Sequence, residues 1–454
     1  MNRKKNIRIM VCVIVVAALT VGFTGCSNIQ EKYNIYQNAK WQTLLQDGWY
    51  PYQGDDSYGK DASNDDKWID DDTENSTQEA GATEHSDDGS NKTEVYASDL
   101  RYKTGLYHTN RTAWTAPTMC NDIYDIAKAV DSYVLAGCRD ELKLYINDVA
   151  DSDIKNMNDY MTQSFGWGDQ YLNGSDSDGD YITIDLKYED SYYVYMYIVY
   201  GVPIPEDNSR ALAIYNILQA IYKETDLTKF DDFYTELFYH DVVTYVGVYN
   251  DAAADSITNG EAATEKYGNA FTVYGTLVDG SCVCEGYAKT LDLLFRLSGM
   301  ESYYVTGKAD TNGDNAIQNS NDDAGHAWNI VSIDGDWYQL DVTWDDSTEL
   351  KDALGIEDYY MYFNISDEVA GAERTWDTKL YPECNSMDMN YYIYTGRYIQ
   401  NHSQFSDYLN NQDSDEKDIY DLAVADYSDV AYDNSDIVYG ENITDDYTVL
   451  FVNR

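Results

Sequence analysis

Three side chains in this sequence have the types and spacing that thiol chemistry requires: Cys284, His326 and Asp341. Cys284 lies in Gly280-Ser281-Cys282-Val283-Cys284-Glu285-Gly286-Tyr287-Ala288, a stretch that opens a helix. Cys284, Ala288, Leu291 and Phe295 fall on one helical face, and Gly299 offers a stop. A cysteine at a helix N-terminus meets the positive end of the helix dipole and free N–H groups. Both favour a thiolate, and the same groups can receive an oxyanion. Taken alone, the residue fits equally well as a buried anchor for the helix.

The elements that would position its partners are two strands. His326-Ala-Trp-Asn-Ile-Val-Ser-Ile333 and Asp336-Trp-Tyr-Gln-Leu-Asp-Val-Thr-Trp344 flank Asp334-Gly335, a two-residue hairpin turn. If Ile333 faces Asp336, then His326 faces Thr343 and Trp328 faces Asp341. His326 and Asp341 then share a face as diagonal neighbours, about 7–8 Å apart at the backbone, within side-chain reach. The hairpin therefore predicts an imidazole oriented by a carboxylate, the base that a nucleophilic thiol needs. Among the five histidines, His85 and His108 lie in or just after an acidic stretch and His402 lies beyond the core. His240 sits in a helical pattern and reads as structural. Cys282 is the runner-up nucleophile, and a disulfide between residues two apart would be badly strained. Trp328, Trp337 and Trp344 are candidates for the walls of a cleft, with core packing as the default.

These segments, GSCVCEGYAKTLDLLFRLSG, GHAWNIVSIDGDWYQLDVTWDD and YYMYFNISDE, resemble the core of the bacterial transglutaminase-like superfamily. The resemblance covers roughly 235–385 and extends upstream through YHD at 239–241, VYN at 248–250 and YGTLVDG at 274–280. It implies an α+β, papain-like fold, with the catalytic cysteine at a helix N-terminus packed on an antiparallel sheet carrying histidine and aspartate. It also implies a triad of Cys284, His326 and Asp341 that attacks amide or peptide bonds through an acyl-enzyme. Water would then give hydrolysis and a primary amine transamidation. The implied partner is a protein or peptide, with cell-wall peptide as one candidate target. No cofactor is expected. The competing reading is a catalytically idle surface binding module on the same fold.

Composition narrows the remaining classes. Thirty Lys and Arg stand against 81 Asp and Glu, a net charge of -51. Such a surface repels phosphate backbones, which argues against nucleic acid as a partner. The N-terminus reads as an export signal: a basic MNRKKNIR, an apolar run from Ile9 to Val21, and small residues after it. That run is short of the roughly 20 residues of a membrane span. Phe23-Thr24-Gly25-Cys26-Ser27 resembles the lipobox of bacterial lipoproteins, which implies cleavage before Cys26, lipidation there, and a membrane-anchored protein facing outward. Cys120 and Cys138 flank a predicted helix of about 27 Å and cannot bridge across it. No cysteine–histidine set has zinc spacing, so no metal site is expected. Asp310-x-Asn312-x-Asp314 begins like a calcium loop, but Asn315 and Asn321 stand where glycine and glutamate are needed.

Five regions are expected: a signal peptide at 1–25, an acidic tether at 26–93, an α/β region at 94–234, the catalytic domain at 235–385 and a small α/β region at 386–454. The tether rests on 54–92, rich in Asp, Ser, Asn and Gly and too poor in aliphatics to fold. Helices are predicted near 121–136, 208–223 and SQFSDYLNNQ, with strands at ELKLYIND and YTVLFVN. DYITIDLKYED and SYYVYMYIVYG are predicted to pair as strands turning at Glu189-Asp190, and SDSDGD at 175–180 to form a turn.

Overall fold

The structure, a computed structural model, describes residues 114–453 except 139–140, 158–159, 161–174, 178–180, 224, 259–265, 311–323, 357, 412–418, 431–435 and 445. The signal peptide, Cys26, the acidic tether, His85, His108 and most of the calcium-like loop lie outside the described residues.

The described residues are α+β, with three small sheets and helices between them. The central sheet has the order β6-β5-β4-β7, all antiparallel: β4 (Ser302–Ala309), β5 (Ala324–Ile333), β6 (Asp336–Leu340) and β7 (Arg374–Trp376). The β5–β6 turn forms as predicted, with Ile333 opposite Asp336 and both Asp334 and Gly335 at positive φ. The predicted length of β6 does not hold. Its ladder ends at Asn329 opposite Leu340, and His326 pairs with Gly307 of β4. Asp341 causes the break, because its Oδ1 accepts the Trp344 N–H (3.1 Å) and turns the chain into the 3-10 turn Trp344–Asp346.

Upstream, α1 (Ile123–Leu135) starts on an Asp122 side-chain cap and buries one apolar face. The small sheet β1-β3-β2 joins β1 (Leu142–Tyr145), β2 (Ser175–Ser177) and β3 (Tyr181–Ile184), so 175–177 is an edge strand where a turn was predicted. The second correction concerns SYYVYMYIVYG, which is helical. α2 (Asp190–Tyr195) runs into a π-helical turn, Met196–Tyr200, that ends on Gly201 at φ 73°. Tyrosines and β-branched residues suit a strand, but this segment is buried on nearly all sides and shows no decisive period. In the helical form the hydroxyls of Tyr192, Tyr195 and Tyr200 donate to Val134, Leu135 and Cys138 carbonyls. These carbonyls lie in the last turn of α1 and just after it, where the helix no longer supplies i+4 N–H partners.

α3 (Ser209–Lys223) and α4 (Asp232–Val246) lead to α5 (Cys284–Leu297), which packs on β4 and β5. The C-terminal sheet, β10-β11-β9-β8, comprises β8 (Tyr398–Ile399), β9 (Ile419–Val424), β10 (Ile437–Thr444) and β11 (Tyr447–Asn453), with α6 (His402–Asn411) against it. One continuous apolar cluster runs from Cys120 to Phe451 through the central sheet.

Candidate active site

Cys284 is the first residue of α5, after Val283 in an extended N-cap conformation. The approach to it is fixed by backbone pairing. Cys282 N–H donates to Val248 O (3.0 Å), Asn250 N–H to Cys282 O (2.9 Å), and Val283 N–H to Ala270 O (3.0 Å). The first N–H groups of α5 have no acceptors within the helix, and the sulfur stands at that end. Gly286 is needed for this approach: a Cβ there would sit 2.6 Å from Ala270 O and 2.9 Å from Cys282 Cβ. Cys284 is partly exposed and packs against Ala288, Tyr304 and Ala327.

His326 and Asp341 meet as the hairpin predicts, although the ladder stops short of them at Asn329 and Leu340. His326 Nε2 lies 2.7 Å from Asp341 Oδ2, with both side chains buried. Nδ1 is the ring nitrogen that Asp341 does not engage. Burial alone would lower the His326 pKa, but the charge and hydrogen bond of Asp341, with a smaller contribution from Cys284, outweigh it and raise it to about 9. Asp341 itself is held below the usual carboxylate range. Burial opposes this, and the positive charges of His326 and Arg374 prevail. The imidazole is flanked by Trp328 and Trp344, with ring centroids 5.8 and 5.2 Å away. Trp337 packs instead against Tyr303, away from the imidazole.

Two further links hold α5 in place. Asn329 of β5 donates through Nδ2 to Ala288 O of α5 (2.9 Å). Lys289 of α5, buried, binds Glu189 (2.5 Å) and Glu285 (2.8 Å), joining α5 to the segment that precedes α2.

The runner-up nucleophile is excluded as a reactive group. Cys282 is fully buried, and burial pushes its thiol well above its ordinary pKa. His240 is helical and buried, between Asp241 (3.1 Å) and Asp345 (3.3 Å). Cys120 and Cys138 form no disulfide with each other. No group of three or more metal-ligating side chains occurs among the described residues, and none of their helices is long and apolar enough to cross a membrane.

Residues 245–342 match the transglutaminase-like superfamily. The chain carries a transglutaminase-like core. Its curated relatives include Kyphoscoliosis peptidase of Mus musculus, 31% identical over 105 residues, which are 22% of this chain and 16% of that protein. The Homo sapiens Kyphoscoliosis peptidase is 34% identical over 101 residues, 22% of this chain and 15% of that protein. The match thus spans about one-sixth of the length of these relatives. A solved structure titled "Crystal structure of a TGase" aligns at 14% identity with 46% of this chain and 52% of its own, at a TM-score of 0.25, a likeness too slight to bear on the fold.

Two residues of the transglutaminase-like site had no role in the sequence reading. Arg374 of β7 donates to Asp341 Oδ2 through Nη2 (2.8 Å) and Nε (3.1 Å). Nothing in its local sequence marks it, because the pairing of β7 with β4 is what brings it to the site. Tyr249, in the VYN stretch of the loose upstream match, pairs with Cys282 and packs beside Val283. Burial, and then the charge of Cys284, push the pKa of its hydroxyl up.

Proposed function

We propose that the protein is a thiol enzyme acting on amide or peptide bonds through an acyl-enzyme, with Cys284 as nucleophile, His326 as acid and base, and Asp341 as orienting carboxylate. The observation that carries this reading is the 2.7 Å His326–Asp341 contact, with the other imidazole nitrogen left for a thiol at a helix N-terminus. His326 Nδ1 takes the thiol proton, and the thiolate attacks the carbonyl carbon. The oxyanion is met by N–H groups at the start of α5. Collapse expels the amine, which takes its proton from His326. The thioester then passes its acyl group to water or to a primary amine, with His326 removing the attacking group's proton.

We further propose that 235–385 is the catalytic domain, flanked by an α/β region at 94–234 and a small α/β region at 386–454. The chain would be exported, lipidated at Cys26 and held outside the membrane on the 26–93 tether. The basic, apolar and small-residue segments at its N-terminus support this. Its substrates would be proteins or peptides, and peptide in the cell wall is within reach of such a tether.

The test is incubation with a glutamine-containing protein and a labelled amine, and separately with isolated cell wall. Mass spectrometry would follow amine incorporation and newly released amine. Product in either arm that is absent with Cys284→Ala supports the reading. Equal product from the Cys284→Ala protein would overturn it.

A further inference from the structure

Asp341 serves two masters through one oxygen. Its Oδ2 receives His326 Nε2 at 2.7 Å and both Nη2 (2.8 Å) and Nε (3.1 Å) of Arg374. Its Oδ1 is occupied by the Trp344 N–H at 3.1 Å. The carboxylate therefore cannot rotate without breaking a contact on each oxygen. Arg374 is itself fixed: it is 1% exposed, with its guanidinium carbon 3.9 Å from the Trp344 ring centre and 4.6 Å from that of Tyr362. Trp344 also stacks on His326, so imidazole, indole and guanidinium form one packed set.

We propose that Arg374 is a positioning residue that locks Asp341 through the oxygen His326 uses and limits the pH to which the protonated imidazole survives. The proposal rests on the reading of Cys284, His326 and Asp341 as a working triad. An Asp341 acting on His326 alone would hold the imidazolium more firmly. A buried cation on the same oxygen draws off part of that attraction. The charged and titratable groups around the pair come from several elements. They are Cys284 at the start of α5, Tyr249 before it, Asp345 after β6, Glu373 and Arg374 at β7, and Asp310 at the end of β4. Of these, Arg374 alone is cationic, so its removal has one sign. Loss of a positive charge makes every neighbouring acid hold its proton to higher pH.

The experiment is the pH profile of iodoacetamide alkylation at Cys284, read by peptide mass spectrometry, in the unsubstituted protein, Arg374→Gln, Arg374→Lys and His326→Ala. Alkylation reports the site without requiring a known substrate. R374Q keeps an N–H donor for Asp341 but removes the charge, and should move the upper limb of the profile upward by about one pH unit. R374K keeps the charge and should leave that limb in place. A folded R374Q with an unmoved limb would overturn the proposal. So would an R374K limb raised as far as the neutral variant is predicted to go, and this decides the matter if R374Q does not fold. A merely structural arginine would lower amplitude and stability in both variants without separating their limbs. An unsubstituted protein whose profile is the same as that of His326→Ala would instead refute the triad reading, and this proposal with it.

Discussion

Asp131→Asn should stabilise this protein at alkaline pH and leave it nearly unchanged in acid. Asp131 lies on α1, 8% exposed, and its Oδ1 has no hydrogen-bond partner among the described residues. It is near Arg296 of α5, but Arg296 is already paired with Asp292 through two 3.0 Å contacts. Burial therefore dominates and pushes the Asp131 pKa from 3.8 to about 7, with Arg296 opposing and Asp292 adding to the rise. The folded state then binds a proton between pH 3.8 and about 7 that the unfolded state releases. Stability from this group is full below 3.8, declines as pH rises through that window, and levels off above 7. The full gap corresponds to about 4 kcal/mol. Asparagine mimics the protonated carboxyl and carries no such penalty. Urea unfolding at pH 4 and pH 8 should show the two proteins equal in acid, and the variant more stable by up to about 4 kcal/mol at pH 8. An equal effect at both pH values would refute the reasoning, because it would mean that Asp131 does not change its proton occupancy on folding.

Asp341→Asn should lower the upper limb of Cys284 alkylation from near pH 9, because the charge of Asp341 is the largest influence opposing the burial of His326. It should also lower stability by about 3–5 kcal/mol in thermal or urea unfolding, since Arg374 would be left as a buried cation without its carboxylate. Gly286→Ala should destabilise by about 1–3 kcal/mol and slow Cys284 alkylation, because its Cβ meets a fixed backbone carbonyl at 2.6 Å, a clash that outweighs the helix-propensity gain. Cys282 should stay unlabelled by iodoacetamide in the native protein and react only on unfolding, as its full burial requires.

The sequence was most legible where short-range chemistry decides the outcome. Asp334-Gly335 accepts the positive φ that the hairpin requires, so Ile333 opposite Asp336 followed from two residues. The helix from Cys284 and its stop at Gly299 followed from periodicity and from one left-handed glycine. The end of β6 was not legible, because a side chain of the site, Asp341, makes the turn that breaks the ladder. The run from Ser191 to Gly201 misled for a different reason. Its aromatic composition favours a strand, and the helix is favoured by α1 carbonyls more than fifty residues away. Arg374 lay beyond reach altogether, since only the sheet order β5-β4-β7 brings it to Asp341.

The central claim is that Cys284 and His326 form a reactive thiolate–imidazolium pair. Its most direct test is the rate of Cys284 alkylation at pH 6, measured by peptide mass spectrometry in the native protein and in His326→Ala. The account predicts rapid labelling of Cys284 that is lost in the variant, while Cys282 stays unmodified in both. Slow labelling that rises only above about pH 8, as for an ordinary thiol, and is indifferent to His326 would contradict it.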